Sequence, residues 1–259
     1  MDVLKPQTLF YSGLSGLQLN IPKYKFPVPH RDSSRLTYYS TLFNSIEFNS
    51  TFYKIPMAAT VGKWKDSVND NFRFTFKLWK QITHIKNLNF QRSDVEFFLK
   101  TIDHAGEKKG CLLIQFPPGF DIENSDNLNE LLICIKDFDP ENSWKIAVEF
   151  RNSSWYKKEA YRLLDTFKAA VVIHDIRASA PPLFESKADF VYLRFHGPEG
   201  NYRGCYPEDF LSEYSDKINE CTNKGKKVFV YFNNTMGDAY NNLIRINELM
   251  LQKTNLKVE

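Results

Sequence analysis

Cysteine is scarce in this sequence, and its four cysteines have no spacing that would build a metal site. Cys111, Cys134, Cys205 and Cys221 are far apart, with no Cys-x-x-Cys pair and no histidine at zinc-finger spacing. Structural zinc sites draw their ligands from such closely spaced pairs. We therefore expect four reduced thiols and no structural zinc.

Long apolar runs and glycine motifs are also missing. No run approaches the roughly 18 apolar residues of a membrane-spanning helix, and MDVLKPQTLFYSG at the start lacks the basic-then-apolar order of a leader. The Gly-x-Gly-x-x-Gly turn of dinucleotide folds and the Gly-Lys-Ser/Thr loop of nucleotide hydrolases do not occur. The expected protein is a cytoplasmic enzyme or binding protein with no membrane partner.

The excess of positive charge is small. The formal net charge is +3 at pH 7, from 34 basic and 31 acidic residues. This balance permits an anionic substrate but is weaker than the cationic surface of most nucleic-acid-binding domains. A small polar or anionic ligand is the expected partner, nucleic acid is an alternative that we do not prefer, and no oligomeric state follows from the sequence.

The sequence does contain a regular alternation of two hydrophobic periods. Strand-like segments, with apolar residues at every second position, cover 8–13, 45–52, 73–79, 111–118, 145–151, 169–175, 190–197 and 227–234. Segments of helical period lie between most of them, at 34–44, 57–68, 93–109, 124–138, 157–168, 207–226 and 239–253. The segment 176–189 has two prolines and few periodic apolar positions, so we expect an irregular or missing sixth helix.

This alternation predicts an α/β fold with a parallel sheet. The chain of 259 residues is long enough for one large barrel, and no Ser/Gly-rich linker or change of composition divides it. Eight strand units without an obvious edge strand favour a closed (β/α)8 barrel, similar to the TIM barrel, over a doubly wound sheet. We expect a single domain over residues 1–259.

Charged residues interrupt the apolar strands near their C-terminal ends. In KIAVEFR, residues 145–151, one strand face is apolar, whereas the other ends in Glu149 and Arg151. Other strands repeat the pattern, and in a barrel the aliphatic face packs under the helices while the polar face points inward. Barrel enzymes assemble their active sites at these strand ends. Polar ends on nearly every strand favour such a site over an ion-pair network that only neutralises its own charges.

Six segments, in this order, resemble one bacterial and archaeal family: SIEFNSTFYKIP, FRFTFKLWKQITH, LLIQFPPGF, IAVEFRNSSWY, YLRFHGPEGNYRGCY and VYFNNTMGDAYNNLIRINELM. This family is the domain of unknown function 72, also called the YecE-like proteins. The resemblance covers most of the chain and implies a TIM-like barrel, but it implies no particular reaction. The motif positions that it carries over are Glu47, Asn49, Lys77, Gln115, Glu149, Arg151, Asp175, Arg194, His196, Tyr202, Asn233 and Asn234.

Four of these positions are the expected catalytic groups, namely Glu149, Glu47, Asp175 and Lys77. Carboxylates from different strands suit acid–base catalysis if their shared enclosure raises the pKa of one of them, and Glu149 is the leading candidate. On this hypothesis, replacing Glu149 by glutamine leaves stability unchanged or raised. Lys77 offers a compact charge or, with a depressed pKa, an amine nucleophile.

The remaining motif positions are expected to bind the substrate. The predicted function is an enzyme of undetermined reaction class that acts on a small polar, phosphorylated or carboxylated, substrate. We call the end of the barrel where the C-terminal ends of the strands meet the mouth. We expect the glycine-rich segment 196–206 to fold over this mouth as a flexible cover. The predicted substrate-binding residues are Asn49, Gln115, Arg151, Arg194, His196, Tyr202, Asn233 and Asn234.

Two alternative functions stay open. The first is a metal-dependent phosphodiesterase or nuclease, in which a divalent metal binds Glu, Asp and His at the strand ends. Nearby lysine and arginine side chains argue against it, so no cofactor is predicted and a divalent metal is the alternative. The second is a non-catalytic protein that binds a metabolite or a nucleic-acid end. Alternation alone does not indicate whether His174 or Asp175 faces the mouth.

Overall fold

The computed structural model describes residues 8–181 and 187–255. Its strands are β1 (Phe10–Leu14), β2 (Ser45–Phe48), β3 (Arg73–Lys77), β4 (Lys109–Gln115), β5 (Lys145–Glu149), β6 (Ala170–Val171), β7 (Ile173–His174), β8 (Phe190–Phe195) and β9 (Lys227–Phe232). Its α-helices are α1 (Arg35–Leu42), α2 (Ala58–Asp66), α3 (Lys80–Thr83), α4 (Arg92–Ile102), α5 (Ser125–Phe138), α6 (Lys158–Thr166), α7 (Glu208–Asn223) and α8 (Ala239–Asn255).

The alternation of strands and helices follows the sequence pattern closely. Each predicted strand segment contains a strand, although the sixth is divided at Val172 into β6 and β7. Each predicted helical segment contains a helix, and the one-turn α3 is additional. Between β7 and β8 the described residues form only the 3-10 turn Arg177–Ser179, which agrees with an irregular sixth connection; residues 182–186 of that segment lie outside the described part. None of the described helices has the length and apolar character needed to cross a membrane.

All strand pairings in the described part of the chain are parallel, which confirms an α/β fold. Hydrogen-bonded ladders form a four-stranded sheet in the order β1-β9-β8-β7 and a five-stranded sheet in the order β2-β3-β4-β5-β6. The closed barrel expected from the sequence is not confirmed by these ladders, because they form two sheets. The two sheets meet at Val172, the residue between β6 and β7. Its N–H donates to Val148 O in β5 at 2.8 Å.

The sheets also meet where β1 lies beside β2. One isolated parallel bridge joins Ser15 to Glu47. The Tyr39 hydroxyl accepts a hydrogen bond from Leu14 N at 2.8 Å and donates one to Ser45 O at 3.1 Å, so a helix side chain links the two strands. Side-chain bonds therefore supplement a sparse backbone ladder at this junction.

Two apolar clusters pack on opposite faces of the strands. The larger lies between strands and helices, and the aliphatic strand faces belong to it, as alternation predicts. Members of the smaller cluster come from both sheets: Tyr11, Cys111, Leu113, Ala147, Ala170, Val172, Ala188, Phe190, Tyr192, Phe229 and Tyr231. Across this second cluster, the Tyr231 hydroxyl lies 2.6 Å from Ser45 Oγ and 2.7 Å from Thr75 Oγ1. The inner faces of the two sheets are therefore in contact.

Gly13 provides a test of the close approach of β1 and β2. A Cβ atom at Gly13 would stand 2.1 Å from Ser45 O, so Gly13→Ala must push the strands apart. We expect a loss of about 1–3 kcal/mol in the free energy of unfolding, measured by denaturant titration. Gly62→Ala is the control, because Gly62 lies in α2 with nothing within 4 Å of its added Cβ. It should raise stability by about 0.5–1 kcal/mol, and equal effects of both substitutions would contradict a tight junction.

Candidate active site

Buried ionisable side chains converge at the C-terminal ends of strands from both sheets. β2, β3, β5 and β8 each contribute one near its end, and the fifth directly follows β8. Since parallel strands end on the same side of a sheet, these groups share one mouth. The five are Glu47, Lys77, Glu149, Arg194 and His196, and none is more than 8% exposed.

Arg194 lies at the centre of this group and uses every donor of its guanidinium. Nε lies 3.1 and 3.0 Å from the two carboxylate oxygens of Glu47. Nη2 donates to Glu47 Oε1 at 2.9 Å and to Asn49 Oδ1 at 3.2 Å. Nη1 donates to Glu149 Oε2 at 3.0 Å and points to His196 Nε2, also at 3.0 Å. Arg194 therefore has no donor left for a substrate, contrary to its expected binding role.

The carboxylate oxygens of Glu47 also accept hydrogen bonds from donors other than Arg194. Its Oε1 accepts a hydrogen bond from Ser15 Oγ, and its Oε2 accepts one from the Tyr192 hydroxyl. Both donors are buried beside the fully buried carboxylate. Glu47 therefore holds Arg194 in position, and no lone pair faces the mouth in the way that a general base requires.

Glu149 bonds to two arginines and is not held near a second free carboxylate. Arg194 donates to its Oε2, while Arg151 Nε donates to its Oε1. Burial favours the neutral acid, but the charges of Arg194 and Arg151 outweigh it and hold the pKa of Glu149 well below its usual range. The raised pKa that acid–base catalysis would use is absent at Glu149, which stays an ionised anchor.

His196 is a neutral hydrogen-bond acceptor in this network. Its Nε2 lies 3.0 Å from Arg194 Nη1 and 3.1 Å from Arg151 Nη2, so both arginines present N–H groups to it. An imidazole nitrogen that accepts has no proton, which assigns the ring proton to Nδ1, 3.3 Å from Asp175 Oδ1. Burial is the largest cause that lowers the pKa of His196. The ring therefore adds no positive charge.

Asp175 faces His196 and a tyrosine, away from Glu47 and Glu149. Its Oδ1 accepts the backbone N–H of His196 at 2.8 Å, and its Oδ2 accepts the Tyr206 hydroxyl. His174, the other residue of the pair, lies with Nε2 3.0 Å from Phe150 O, and burial lowers its pKa to about 4. Asp175 therefore bonds to the backbone of His196, and His174 also contacts the network, with its ring centre 5.8 Å from that of His196.

Of the five buried ionisable groups, Lys77 is the one that lacks a charged partner among the described residues. Its Nζ donates to Gln115 Oε1 at 2.9 Å and lies 4.1 Å from the ring centre of Phe52. Burial and then the positive charge of Arg194 lower the pKa of Lys77 to about 7. An amine with this pKa is about half neutral at physiological pH, so Lys77 can accept a proton or attack an electrophile.

The amide side chains predicted to bind substrate divide into two groups. Asn49 Nδ2 lies 3.4 Å from Asn233 Oδ1, and with Gln115 these two residues line the mouth. Asn234 is fully buried and donates instead to Gly204 O at 2.9 Å, which gives it a structural role in the loops. Asn49, Asn233 and Gln115 are therefore the amides that a ligand can reach.

The glycine-rich segment 196–206 is anchored by backbone hydrogen bonds. Met236 N donates to Tyr202 O at 3.0 Å, and Asp238 N donates to Gly204 O at 3.1 Å. Tyr202 adopts a left-handed backbone with φ of 66°, which the anchored loop must enforce. These bonds to the loop after β9 describe a fixed wall beside the site and not the expected flexible cover.

Sequence reasoning missed several side chains that contact the site. Tyr192 had a usable signal, since it lies two positions before Arg194 and therefore on the same strand face. The others reach the site from loops, where no periodicity operates. The missed residues are Ser15, Phe52, Tyr192 and Tyr206.

The carboxylates and imidazoles do not fit a divalent metal. The oxygens of Glu47 and Glu149 already accept from arginine, and the free nitrogen of His196 faces two guanidinium groups. Cations at these positions would repel a metal ion. Within 8–181 and 187–255, no three His, Cys, Asp or Glu side chains are grouped so that they could hold one.

Comparison with known proteins identifies the family. Residues 12–258 match the family model described as Protein of unknown function DUF72. The chain belongs to this family. It is 28% identical over 278 residues to the UPF0759 protein YunF of Bacillus subtilis (strain 168), covering 93% of this chain and 95% of YunF. A shorter match to the UPF0759 protein YecE of Escherichia coli (strain K12) has 29% identity over 105 residues, 40% of this chain and 39% of YecE.

Two crystal structures of DUF72 family proteins are similar to this chain. The one from Enterococcus faecalis V583 has a TM-score of 0.77 at 22% identity, covering 93% of this chain and 95% of that chain. The one from Thermotoga maritima MSB8 has a TM-score of 0.73 at 24% identity, covering 94% of this chain and 99% of that chain. These likenesses show a shared fold, and no reaction follows from them.

Replacing Glu149 tests its role as an anchor in this DUF72 protein. Glu149→Gln leaves the buried Arg194 and the partly exposed Arg151 without their common carboxylate, so we expect a loss of about 3–5 kcal/mol in unfolding free energy. This reverses the expectation of unchanged or raised stability. The exposed Glu208, paired with Arg245, is the control, and Glu208→Gln should have only a slight effect.

The pH dependence of that loss follows from the lowered pKa of Glu149. A carboxylate with a depressed native pKa stabilises the fold above its unfolded pKa of about 4.3, and the contribution fades as pH falls towards the native pKa. The stability difference between wild type and Glu149→Gln should therefore narrow only below about pH 4. A variant as stable as wild type at pH 7 would show that the anchor role is wrong.

Lys77 should also make the stability of the fold depend on pH, but through a base whose pKa is lowered and at higher pH than Glu149. Between about pH 7 and its unfolded pKa of about 10.4, the unfolded chain binds a proton at Lys77 that the folded chain has lost. Wild-type stability should therefore rise with pH, relative to Lys77→Met, by at most about 1.4 kcal/mol per pH unit. Lys77→Arg, which stays charged, should also lack this slope. Parallel stability curves for wild type and Lys77→Met from pH 7 to 10 would refute the lowered pKa.

Proposed function

We propose that this chain is a (β/α)8 barrel enzyme that binds a small anionic substrate at the mouth and uses the Lys77 amine for proton transfer. The observation that carries the proposal is that the cationic side chains at the mouth differ in how many of their hydrogen-bond donors have a partner in the protein. Arg194 uses all of its donors within the protein, whereas Lys77 and Arg151 each have donors without a partner among the described residues. A site that was only an internal ion-pair network would leave no such donors.

The contacts between the two sheets support one closed barrel in a single domain. Residues 170–174 form a nearly continuous strand that pairs with β5 on one side and with β8 on the other. At the opposite junction, the bridge from Ser15 to Glu47 joins β1 to β2. This arrangement matches the order of eight parallel strands around a barrel, with β6 and β7 as two halves of one strand.

Arg151 supports the binding of an anion. Its Nε and Nη2 hold Glu149 and His196, while Nη1 makes no hydrogen bond to the described residues. The side chain is 13% exposed, so solvent or a ligand can reach it. A guanidinium group that is fixed at one edge by a carboxylate presents its free edge in a constant direction, which suits a phosphate or carboxylate.

Lys77 supports proton transfer better than any carboxylate at the site. General bases work best when their pKa lies near the operating pH, and the lowered pKa of Lys77 meets this condition. Glu47, Glu149 and Asp175 are instead occupied by hydrogen bonds from buried donors. In this proposal the carboxylates orient the cations, and Lys77 performs the chemistry. The cytoplasmic location expected from the sequence stays a prediction.

A thermal-shift screen against phosphorylated sugars and small carboxylates, at low salt, tests the anionic substrate. A ligand present at 100 times its dissociation constant adds about 2.7 kcal/mol of stability, a readily measured shift. Arg151→Met should reduce the shift to near zero relative to the ligand-free variant. Arg177→Met is the control, since Arg177 lies on the same side after β7 but is 78% exposed. Absence of a shift with any anion at millimolar concentration would count against anion binding.

A further inference from the structure

This inference rests on the proposed function. The geometry points to a covalent role for Lys77, in which its amine forms an imine with the carbonyl group of an anionic aldehyde, ketone or keto acid. This names both a chemical class of substrate and a reaction intermediate. The site supplies a reactive nitrogen and an anion-binding arginine at the ends of strands in one sheet.

The environment of Lys77 differs from that of an ordinary buried lysine. Lys108 is also buried, at 5% exposure, and its Nζ donates to Lys65 O at 2.9 Å and to Val68 O at 2.7 Å. Lys108 is thereby fixed to the backbone. Lys77, at 8% exposure, has one neutral acceptor and an aromatic ring. A buried lysine without a carboxylate is unfavourable for the fold alone, which indicates that the amine has another use.

The two neighbours of Nζ orient the amine for attack. Gln115 Oε1 accepts one N–H at 2.9 Å, and the Phe52 ring, 4.1 Å away, covers one side of the nitrogen. These two contacts leave part of the surface of Nζ without a partner, where a carbonyl carbon can approach. Desolvation and a nearby cation are the conditions that keep a lysine neutral for nucleophilic catalysis, and Lys77 has both.

The reaction balances without an added oxidant or reductant. The Nζ lone pair forms a bond to the carbonyl carbon, and the carbonyl oxygen becomes the hydroxyl of a carbinolamine. The hydroxyl proton comes from nitrogen by way of solvent, a second proton taken from solvent converts the hydroxyl to water, and this water leaves as the carbon–nitrogen double bond forms, so one proton is consumed overall. The product is a protonated imine plus one water.

Reductive trapping tests the imine. The full chain is incubated at pH 7 with pyruvate or dihydroxyacetone phosphate and sodium cyanoborohydride, and then analysed by intact mass and peptide mapping. Reduction of an imine leaves a secondary amine, so we expect one adduct with the mass of the probe less one oxygen atom. Peptide mapping should assign this adduct to Lys77.

Matched variants and competitors make the result specific. Lys77→Arg should lower trapping at least tenfold, whereas Lys108→Arg should leave it unchanged. Lactate and glycerol 3-phosphate, which carry the anion without the carbonyl, should compete and reduce the yield. Adducts spread over many lysines, without preference for Lys77, would overturn the imine.

The two proposals fail in distinguishable ways. Heat stabilisation by lactate or glycerol 3-phosphate without any adduct from the matching carbonyl probe overturns the imine and leaves anion binding in place. Neither stabilisation nor an adduct overturns both proposals. An adduct at Lys77 whose yield depends on Arg151, tested with Arg151→Met, supports both.

Discussion

The guanidinium of Arg194, buried between two carboxylates, is the interaction on which the site depends. It connects β8 in one sheet to Glu47 on β2 and Glu149 on β5 in the other. Removing such charges from water costs several kcal/mol for each ion, and the cost is offset only when each donor and acceptor finds a partner. Here the planar group satisfies both acids at once. The inner faces of two sheets are thereby held at a fixed separation by a rigid, fully bonded group.

The same interaction determines the state of Lys77. Glu47 and Glu149 are balanced by Arg194 and Arg151, and His196, whose pKa is lowered first by burial, adds no positive charge. Lys77 is therefore the cation left over in a buried group that has no further acid. Its lowered pKa follows from burial beside Arg194. On the proposed function, a structural salt-bridge network keeps a neighbouring amine partly neutral, so scaffold and chemistry need not be separate alternatives at this site.

Much of the fold and the membership of the site could be predicted from the sequence, because both depend on periodicity. A period of two identifies strands and their inward faces, so Glu47, Lys77, Glu149 and Arg194 could be grouped before any coordinates were known. Which of these side chains bond to one another could not be predicted, because strand register and side-chain direction decide the hydrogen-bond partners. The roles of Glu149 and Arg194 depend on which donors reach which oxygens.

Local signals failed where tertiary contacts decide the backbone. The strand predicted over 45–52 ends at Phe48, because Asn49–Phe52 forms a 3-10 turn that brings Phe52 beside Lys77. That turn is fixed by Thr51, whose hydroxyl lies 2.8 Å from Phe48 O and 2.7 Å from Lys77 O, a contact between the turn and β3 that no local pattern encodes. The residue that shields the amine is therefore positioned by the strand that carries the amine.

The inner apolar cluster closes the site on the side of the strands' interior. Below the charged network, Tyr192 and Tyr231 pack with ring centres 5.2 Å apart, and both are fully buried. Tyr231 bonds to Ser45, and Tyr192 donates to Glu47, so the tyrosines fill the space beneath the carboxylates without leaving polar atoms unpaired. Water and ligands are excluded from that side, which lowers the local dielectric and strengthens every charge interaction above it. The tyrosines close the floor and the loop after β8 is anchored, so in the proposed function the substrate approaches from the mouth, where Arg151 Nη1 makes no hydrogen bond to the described residues and Lys77 has only Gln115 as an acceptor.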